Sequence, residues 1–263
     1  MISSMQLALI KKDMRYITSN KRLFSVLLIV PLMFTMVVPS ILILSIALAP
    51  TDSNDVQKIL NLLPQSSQSG DLQHMLIGII FNSILPMFFL LIPIITTSVM
   101  AASSFVGEKE KRTLETLLYC PLTLKQIFNA KILACFVLSI CVSLASFAVM
   151  LAVVEMEAWL ATGSVIVPNF SWLILLALIS PAVSLLAITL IVRGSAKAQT
   201  MEEAQQRSIF LILPIILLAV GQFSGIMLVN PWLLLALGVI LAAIAYFAIK
   251  GSFGRFNYET LLK

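Results

Sequence analysis

The sequence predicts an all-α integral membrane protein with six transmembrane helices, an N-terminal amphipathic elbow helix and a short cytoplasmic helix after the second span. The prediction rests on composition, on the length of the apolar runs and on the positions of the basic residues. Of the 263 residues, 60% are hydrophobic and only 11% are charged, and the mean hydropathy is +1.04. Soluble proteins carry about 25% charged residues, so the composition excludes that class.

Six segments are long enough, or nearly so, to cross a membrane, because about 20 apolar residues span a hydrocarbon core about 30 Å thick. They cover residues 24–48, 75–105, 127–154, 172–192, 209–229 and 232–249. Together with an elbow over 1–23, a loop over 107–123 and a tail over 250–263, they are expected to form a single transmembrane domain over 1–263.

Two of these segments depart from a plain span. The second is longer than a span needs, and its small-residue half, "TTSVMAASS", predicts a helix that continues into the cytoplasm and packs closely, with a second copy of the chain as a candidate partner. The fifth contains Gly221 and Gly225, and only Asn230 and Pro231 separate it from the sixth. A re-entrant helix is therefore an alternative to a plain hairpin there.

The basic residues predict the orientation. Of the 17 Lys and Arg residues, all except Lys58 fall on one side of the membrane if both termini are cytoplasmic. Because cytoplasmic loops carry an excess of Lys and Arg, we expect a multi-pass plasma-membrane protein with both ends inside. The net charge of +5 is explained by membrane lipids with anionic headgroups, and no nucleic-acid partner is expected.

The segment before the first span predicts an amphipathic helix. Leu7, Ile10, Met14 and Ile17 recur at spacings of three and four, while lysines occupy the other faces. Such a helix is typical of an elbow lying in the membrane interface. The alternative is a basic segment that only sets the orientation.

The loop after the second span combines charge with an apolar stripe. Six charged residues lie from Glu108 to Glu115. Leu114, Leu117 and Leu118 then fall at i, i+3 and i+4, which predicts a short helix with one apolar face. That face could dock in a groove of a cytoplasmic partner or lie on the lipid headgroups, and the residues alone favour neither.

The end of this loop is marked by residues that stop and start helices. Pro121 ends the short helix, and Thr123 with Gln126 forms a T-x-x-Q capping box that opens the third span. The predicted order is thus a charged segment, a short amphipathic helix, a stop and a return to the membrane.

Polar residues within the predicted spans are candidates for lining a pathway, although hydrogen bonding between helices explains them equally well. They are Asn82, Thr96, Thr97 and Gln222. His74, the one histidine, has no companion ligands in the sequence, so neither a metal site nor a catalytic set of residues is predicted.

Two segments resemble a known family. "GEKEKRTLETLLYCPLTLKQIFNAK" is similar to the signature of type-two ABC-transporter permeases, and "AKAQTMEEAQQRSIFLILP" is similar to the segment entering the fifth span of sodium- and drug-efflux permeases of that group. Arg112 and Ala130 stand where glycine is frequent in the family. The residues that carry the resemblance are Glu108, Lys109, Glu110, Thr113, Leu114, Glu115, Leu117, Leu118, Pro121, Ile127 and Lys131, then Glu203, Ala204, Gln205, Gln206 and Pro214.

The resemblance implies half of an ATP-driven exporter. In this family two permeases, identical or sister subunits, pair, and each docks on a separate cytoplasmic ATP-binding subunit through the loop after the second span, beside the elbow. ATP and Mg are then used by that partner, this chain binds no cofactor, and the chain is not itself an enzyme; consistently, it contains no G-x-x-x-x-G-K-[ST] loop. The implied coupling residues are Glu108, Glu110, Arg112, Thr113, Leu114, Glu115, Leu117, Leu118 and Pro121, with Glu203, Gln205 and Gln206 in the second cytoplasmic loop.

Two other classes of membrane protein fit the sequence less well. An ion-coupled secondary transporter, the alternative, predicts charged residues near the span centres and two related halves, and neither is clear in the sequence. An intramembrane enzyme needs paired carboxylates, a His-x-x-x-His helix or a Ser/His pair within the spans. The cargo stays open among peptide antibiotics, hydrophobic drugs and sodium ions.

Overall fold

The computed structural model describes residues 4–47, 72–111, 122–195, 198–213 and 231–253. These ranges are helical with short connections and contain no strand, which confirms the all-α class. Five of their helices are long and apolar enough to cross a membrane, and they match predicted spans one to four and six. Most of the fifth predicted span, with Gln222 and the question of a re-entrant helix, lies outside the described residues.

The helices are numbered α1 to α7 over the described ranges. α1 is Ser4–Ser19. α2 joins Lys21–Leu32, a π-helical turn Met33–Val37 and Val38–Ala47. α3 joins Leu72–Ile79, a π-helical turn Ile80–Ile84, Leu85–Ala101, a second π-helical turn Ala102–Val106 and Gly107–Glu110. α4 is Leu124–Thr162. α5 joins Phe170–Ile174, a π-helical turn Leu175–Ile179 and Ser180–Ser195. α6 is Met201–Gln206, followed by the 3₁₀ turn Arg207–Leu211, and α7 is Pro231–Phe253.

The ends of α4 follow from local chemistry. The Thr123 hydroxyl accepts from the Gln126 backbone N–H at 3.4 Å, and the Thr123 N–H donates to Gln126 Oε1 at 3.0 Å, so the predicted capping box is confirmed. Gly163 ends the helix in the left-handed region, at φ 68°, where glycine carries no Cβ penalty. α4 has 39 residues, each of which adds about 1.5 Å to the length of the helix. The helix therefore extends beyond both edges of the predicted span 127–154.

An aromatic cluster holds α3, α4 and α5 together near one end of the bundle. The ring of Trp172 lies 5.3 Å from that of Phe81, 5.6 Å from that of Phe89 and 5.1 Å from that of Phe147, measured between centroids. Aromatic rings attract one another at such separations in tilted and edge-to-face arrangements. The three long helices are therefore fixed to one another by side chains that bury much apolar area.

α5 and α7 run parallel. A Cβ on Gly238, early in α7, would lie only 2.6 Å from Leu178 Cδ2, early in α5. Near the other ends, Arg193 Nη2 donates to the Ala248 carbonyl at 2.7 Å. The first halves of α5 and α7 therefore contact each other, and so do their last turns. Gly238 allows the closest approach of the two helices.

The small-residue half of α3 is buried inside the subunit. Residues 96–107 have no exposed side chain, and Met100, Ala101 and Ala102 are completely covered. They pack against Ile17 of α1 and apolar residues of α4 and α5. The expectation that this segment contacts a second copy of the chain is therefore corrected, because the chain's own helices already occupy its surface.

α1 packs on the bundle by a face that overlaps the predicted stripe. Ile17 is buried and Ile10 and Met14 are partly buried, whereas Leu7 is 62% exposed. The other buried residues are Leu9 and Asp13. The helix itself lies within the predicted elbow over 1–23. Its position in a membrane interface stays a prediction.

Candidate functional site

The described basic residues are gathered at one end of the bundle, which we call the charged end. Here α3 ends and α4 begins, α1 lies across both, and the last turns of α5 and α7 meet. The opposite end carries His74, Glu155 and Glu157 and none of the described Lys or Arg residues. The Lys and Arg residues of the described ranges are Lys11, Lys12, Arg15, Lys21, Arg22, Lys109, Lys111, Lys125, Lys131, Arg193, Arg207 and Lys250.

Four charged side chains form a cluster where α1, α3 and α4 meet. Lys131 Nζ of α4 donates to Glu108 Oε2 of α3 at 2.6 Å, and Lys12 Nζ of α1 donates to Glu108 Oε1 at 2.7 Å. Asp13 is the fourth member, and we call the set Lys12, Asp13, Glu108 and Lys131 the charge cluster. Glu108, Lys131 and Asp13 are buried, while the Lys12 side chain is 55% exposed. Each oxygen of one carboxylate thus binds an ammonium group from a different helix.

Ser104 connects Asp13 to Lys131 within the charge cluster. Its hydroxyl donates to Asp13 Oδ2 at 2.8 Å, and its backbone carbonyl accepts a hydrogen bond from Lys131 Nζ. Ser104 lies in the π-helical turn Ala102–Val106, one turn before Glu108. Such turns occur often at functional sites because they redirect backbone groups. Here the Ser104 carbonyl accepts a hydrogen bond from the buried ammonium group of Lys131.

Burial raises the pKa of Asp13 above its ordinary value, since the charged carboxylate loses hydration. Lys131 and the Ser104 hydroxyl act in the opposite direction, and Glu108 adds to the increase. Burial therefore disfavours the charged form of Asp13.

The sequence identified part of this cluster and missed the rest. Glu108 and Lys131 were marked by the permease signature, whereas Lys12, Asp13 and Ser104 were not singled out. A signal was present: Asp13 lies midway between Leu9 and Ile17 at the helical spacing of four, so it occupies an apolar face. A carboxylate on such a face needs a buried partner.

The predicted second cytoplasmic loop lies against the start of the first. Glu110 Oε2 accepts from the Met201 backbone N–H at 3.2 Å. A Cβ on Gly107 would lie 3.1 Å from Met201 Sδ, so a larger residue would displace that contact. Within the second loop, Glu203 Oε2 accepts from the Gln199 N–H at 3.0 Å. The structure therefore brings the two predicted coupling segments together.

The rest of the predicted coupling residues divide into two groups. Gln206 is exposed and Gln205 is partly buried on α6. The remainder of the first loop lies outside the described residues, namely Arg112, Thr113, Leu114, Glu115, Leu117, Leu118 and Pro121. The short helix predicted there stays a prediction.

Comparison with known proteins identifies the family. The sequence model of a family described as "ABC-2 family transporter protein" matches residues 7–231. The chain belongs to that family. No curated protein and no solved structure gives a significant match. The resemblance seen in the sequence is thereby confirmed, and the chain is a membrane component of the transport machinery, a permease and not a catalytic ATPase domain.

The matched range starts within α1 and reaches the first residue of α7. It therefore contains the whole charge cluster and the second loop. In this permease the features that connect α1, α3, α4 and α6 belong to the part of the chain that the family shares.

Farther along the bundle, the permease has a cluster of hydroxyl groups. Thr97 Oγ1 donates to Ser139 Oγ at 2.6 Å, and Ser139 and Ser184 hydroxyls lie 3.0 Å apart. Thr96 Oγ1 lies 3.3 Å from Ser139 Oγ. All four residues are buried between α3, α4 and α5. We call them the hydroxyl cluster. Thr96 and Thr97 serve helix packing here, and their role in lining a pathway stays a prediction.

Near the opposite end, two polar contacts join α3 to the connection between α4 and α5. Asn82 Oδ1 accepts from the Asn169 N–H at 2.8 Å, and His74 Nδ1 lies 2.6 Å from the Ser164 hydroxyl. Ser164 in turn contacts the Thr162 hydroxyl at 2.7 Å. These contacts fix the connection on the permease, and the place of Asn82 in a pathway stays a prediction.

Proposed function

We propose that this chain is the permease subunit of an ATP-driven exporter, forms half of the translocation pathway with a second permease, and couples to a separate ATP-binding subunit. The observation that carries the proposal is the charged end. There the entrance to the first loop, the elbow and the second loop are joined by the charge cluster and by the contact between Glu110 and Met201. Force applied to either loop reaches α3 and α4 directly.

The distribution of charge supports a cytoplasmic location for this end. Every described Lys and Arg residue lies there, as listed above, and acidic groups mark the opposite end. Because the positive-inside bias concerns short loops next to spans, it places the first and second loops on the side where ATP is available. Both termini are then cytoplasmic, in the plasma membrane.

The parallel arrangement of α5 and α7 supports six crossings. Arg193 near the end of α5 contacts Ala248 near the end of α7, so both helices end on one side. A chain that leaves α5 on that side has to return to the other side before α7 begins. The fifth span that the sequence predicts over 209–229 would supply this return.

The ion-coupled alternative gains no support from the described helices. An ion-coupled carrier generally holds ionisable groups near the middle of its spans. In the described ranges, the charged residues of α2 to α5 and α7 lie near helix ends, Lys131 being seven residues into a helix of 39. The middle of the bundle instead carries the neutral hydroxyl cluster.

The test uses the predicted apolar stripe of the first loop. Burying a leucine contributes about 1.5–3 kcal/mol, so replacing both Leu114 and Leu118 with Asp is expected to abolish most of the interface with the ATP-binding subunit. The tagged chain is purified from its native membranes. The ATP-binding subunit that co-purifies is identified by the phosphate-binding loop in its sequence and is then co-expressed with the tagged chain. Co-purification and cargo-stimulated ATPase activity are measured.

The matched control places two aspartates at the opposite end. Val165 and Val167 are 60% and 76% exposed in the connection between α4 and α5. Val165→Asp with Val167→Asp should leave binding and stimulated ATPase activity unchanged. Survival of binding, stimulation and transport in the Leu114→Asp, Leu118→Asp chain would refute the proposed role of the loop.

A further inference from the structure

The parallel helices α5 and α7 enclose an apolar groove. It has a volume of about 480 Å³ and is lined by alanines and aliphatic side chains of both helices, including Ala177, Pro181, Ala182 and Ala242. Sites for small organic molecules typically have volumes of about 300–1,000 Å³ and mostly apolar walls. The groove is therefore large enough for part of a lipid-sized molecule.

The groove exists because the helices touch at its two ends and carry small residues between. Gly238 packs on Leu178 at one end, and Arg193 bonds to the Ala248 carbonyl at the other. Between these contacts the facing residues include Ala182 and Ala242, whose methyl groups do not fill the space. Pro181 lies two residues after the π-helical turn Leu175–Ile179 of α5, and both features commonly bend a helix.

The mouth of the groove at the charged end is polar and basic. Tyr246 and Lys250 line it and, four residues apart on α7, lie on the same face. Arg193 of α5 contacts Ala248 and Gly251, which lie on another face of α7 and do not line the groove. A phenol and one cation thus follow an apolar channel.

We propose that this groove binds one anionic phospholipid, with an acyl chain between α5 and α7 and the headgroup phosphate at Lys250, beside the Tyr246 hydroxyl. The apolar walls match an acyl chain, and the basic mouth matches a phosphate that lies at the membrane surface. Basic pockets between transmembrane helices on the cytoplasmic side are a recognised form of lipid site. A neutral cargo molecule would gain nothing from the charge of Lys250, which is why that charge favours the anionic lipid.

The test measures lipid binding to the purified full chain by native mass spectrometry. The chain is titrated with phosphatidylglycerol and, separately, with phosphatidylcholine of the same acyl chains. We expect the first phosphatidylglycerol to bind more tightly than the first phosphatidylcholine. A basic residue near an anionic surface contributes about 1 kcal/mol, so Lys250→Gln should weaken phosphatidylglycerol binding about fivefold, with phosphatidylcholine unchanged and Lys250→Arg restoring the preference.

Two further variants separate the groove from general surface charge. Ala242→Leu fills the apolar channel and should weaken both lipids. Lys125→Gln, which removes an exposed lysine at the start of α4, should weaken neither. Equal binding of the two lipids to the unmodified chain, equal effects of Lys250→Gln and Lys125→Gln, or no effect of Ala242→Leu would each overturn the proposal. So would displacement of the lipid by inorganic phosphate, because a free anion site needs no acyl chain.

Discussion

Two polar clusters hold α3 and α4 together, and they differ in chemistry and in depth. The hydroxyl cluster near the middle of α4 consists of neutral groups that also bond backbone carbonyls, as Thr96 does with Ile92 at 2.7 Å. The charge cluster consists of ions and lies at the end of the bundle. Hydroxyls can be buried in hydrocarbon because each finds a local acceptor, whereas ions need one another and the nearby interface.

The comparison also separates two kinds of connection. The hydroxyl cluster joins three long helices that share a continuous core. The charge cluster instead joins α1 and the entrance of the first loop to α4, at the end of the bundle. We therefore expect ions to determine how strongly the loop is coupled to the bundle, and hydroxyls to adjust only the packing of the bundle itself.

The largest effect is expected from Lys131→Met. Removing one partner of a buried ion pair typically costs about 3–5 kcal/mol, because the remaining charge is left uncompensated. Lys131 is only 3% exposed and bonds both Glu108 and the Ser104 carbonyl. The thermal midpoint of the purified chain in detergent should fall substantially.

Lys12 offers a matched control, since it binds the other oxygen of the same carboxylate. Its side chain is 55% exposed, so water screens the pair, and exposed pairs contribute about 0–1 kcal/mol. Lys12→Met should therefore lower the midpoint far less than Lys131→Met. Equal decreases of the thermal midpoint in the two variants would show that burial of the lysine does not determine its contribution, and would contradict the comparison.

An intermediate effect concerns Asp13 and depends on pH. Because burial raises the pKa of Asp13, the folded chain binds this proton more tightly than the unfolded chain. The resulting stabilisation is complete below the unfolded pKa and is lost as pH rises through the folded pKa. Asp13→Asn keeps a neutral acceptor for the Ser104 hydroxyl at every pH. We expect its thermal midpoint, relative to that of the unmodified chain, to rise between pH 4 and pH 7.

The opposite trend would mean that Lys131 and Ser104 hold Asp13 ionised, and that the loss of hydration is the smaller influence. Glu202→Gln, at an exposed position on α6, serves as the control for general charge effects and should follow the profile of the unmodified chain. Lys12, Glu108 and Lys131 are the charged groups that face Asp13, and they stay unchanged in both variants.

The sequence predicted the helices well and the clusters only in part. Long apolar runs specify spans through their length alone, and the T-x-x-Q box marks the start of α4 by local chemistry. The end of α4 at Thr162 lies beyond the predicted edge at residue 154. Pairing between distant helices leaves no local mark. Ser104 and Asp13 are 91 residues apart, and the buried face of α1 shares Ile17 with the predicted stripe but also includes Leu9 and Asp13. Only the carboxylate on an apolar face indicated that a partner existed.

The smallest effect, and the sharpest check on the comparison, is expected from Ser139→Ala. Ser139 contacts Thr96, Thr97 and Ser184, yet polar contacts between helices in membranes average about 0.6 kcal/mol, because unpaired hydroxyls find other acceptors. Ser143, one turn later on the same helix, is buried and has no hydrogen-bond partner among the described residues. Ser143→Ala should leave the thermal midpoint unchanged or raise it. A loss in Ser139→Ala as large as that in Lys131→Met would show that neutral hydroxyls deep in the bundle bind it as strongly as ions at its end.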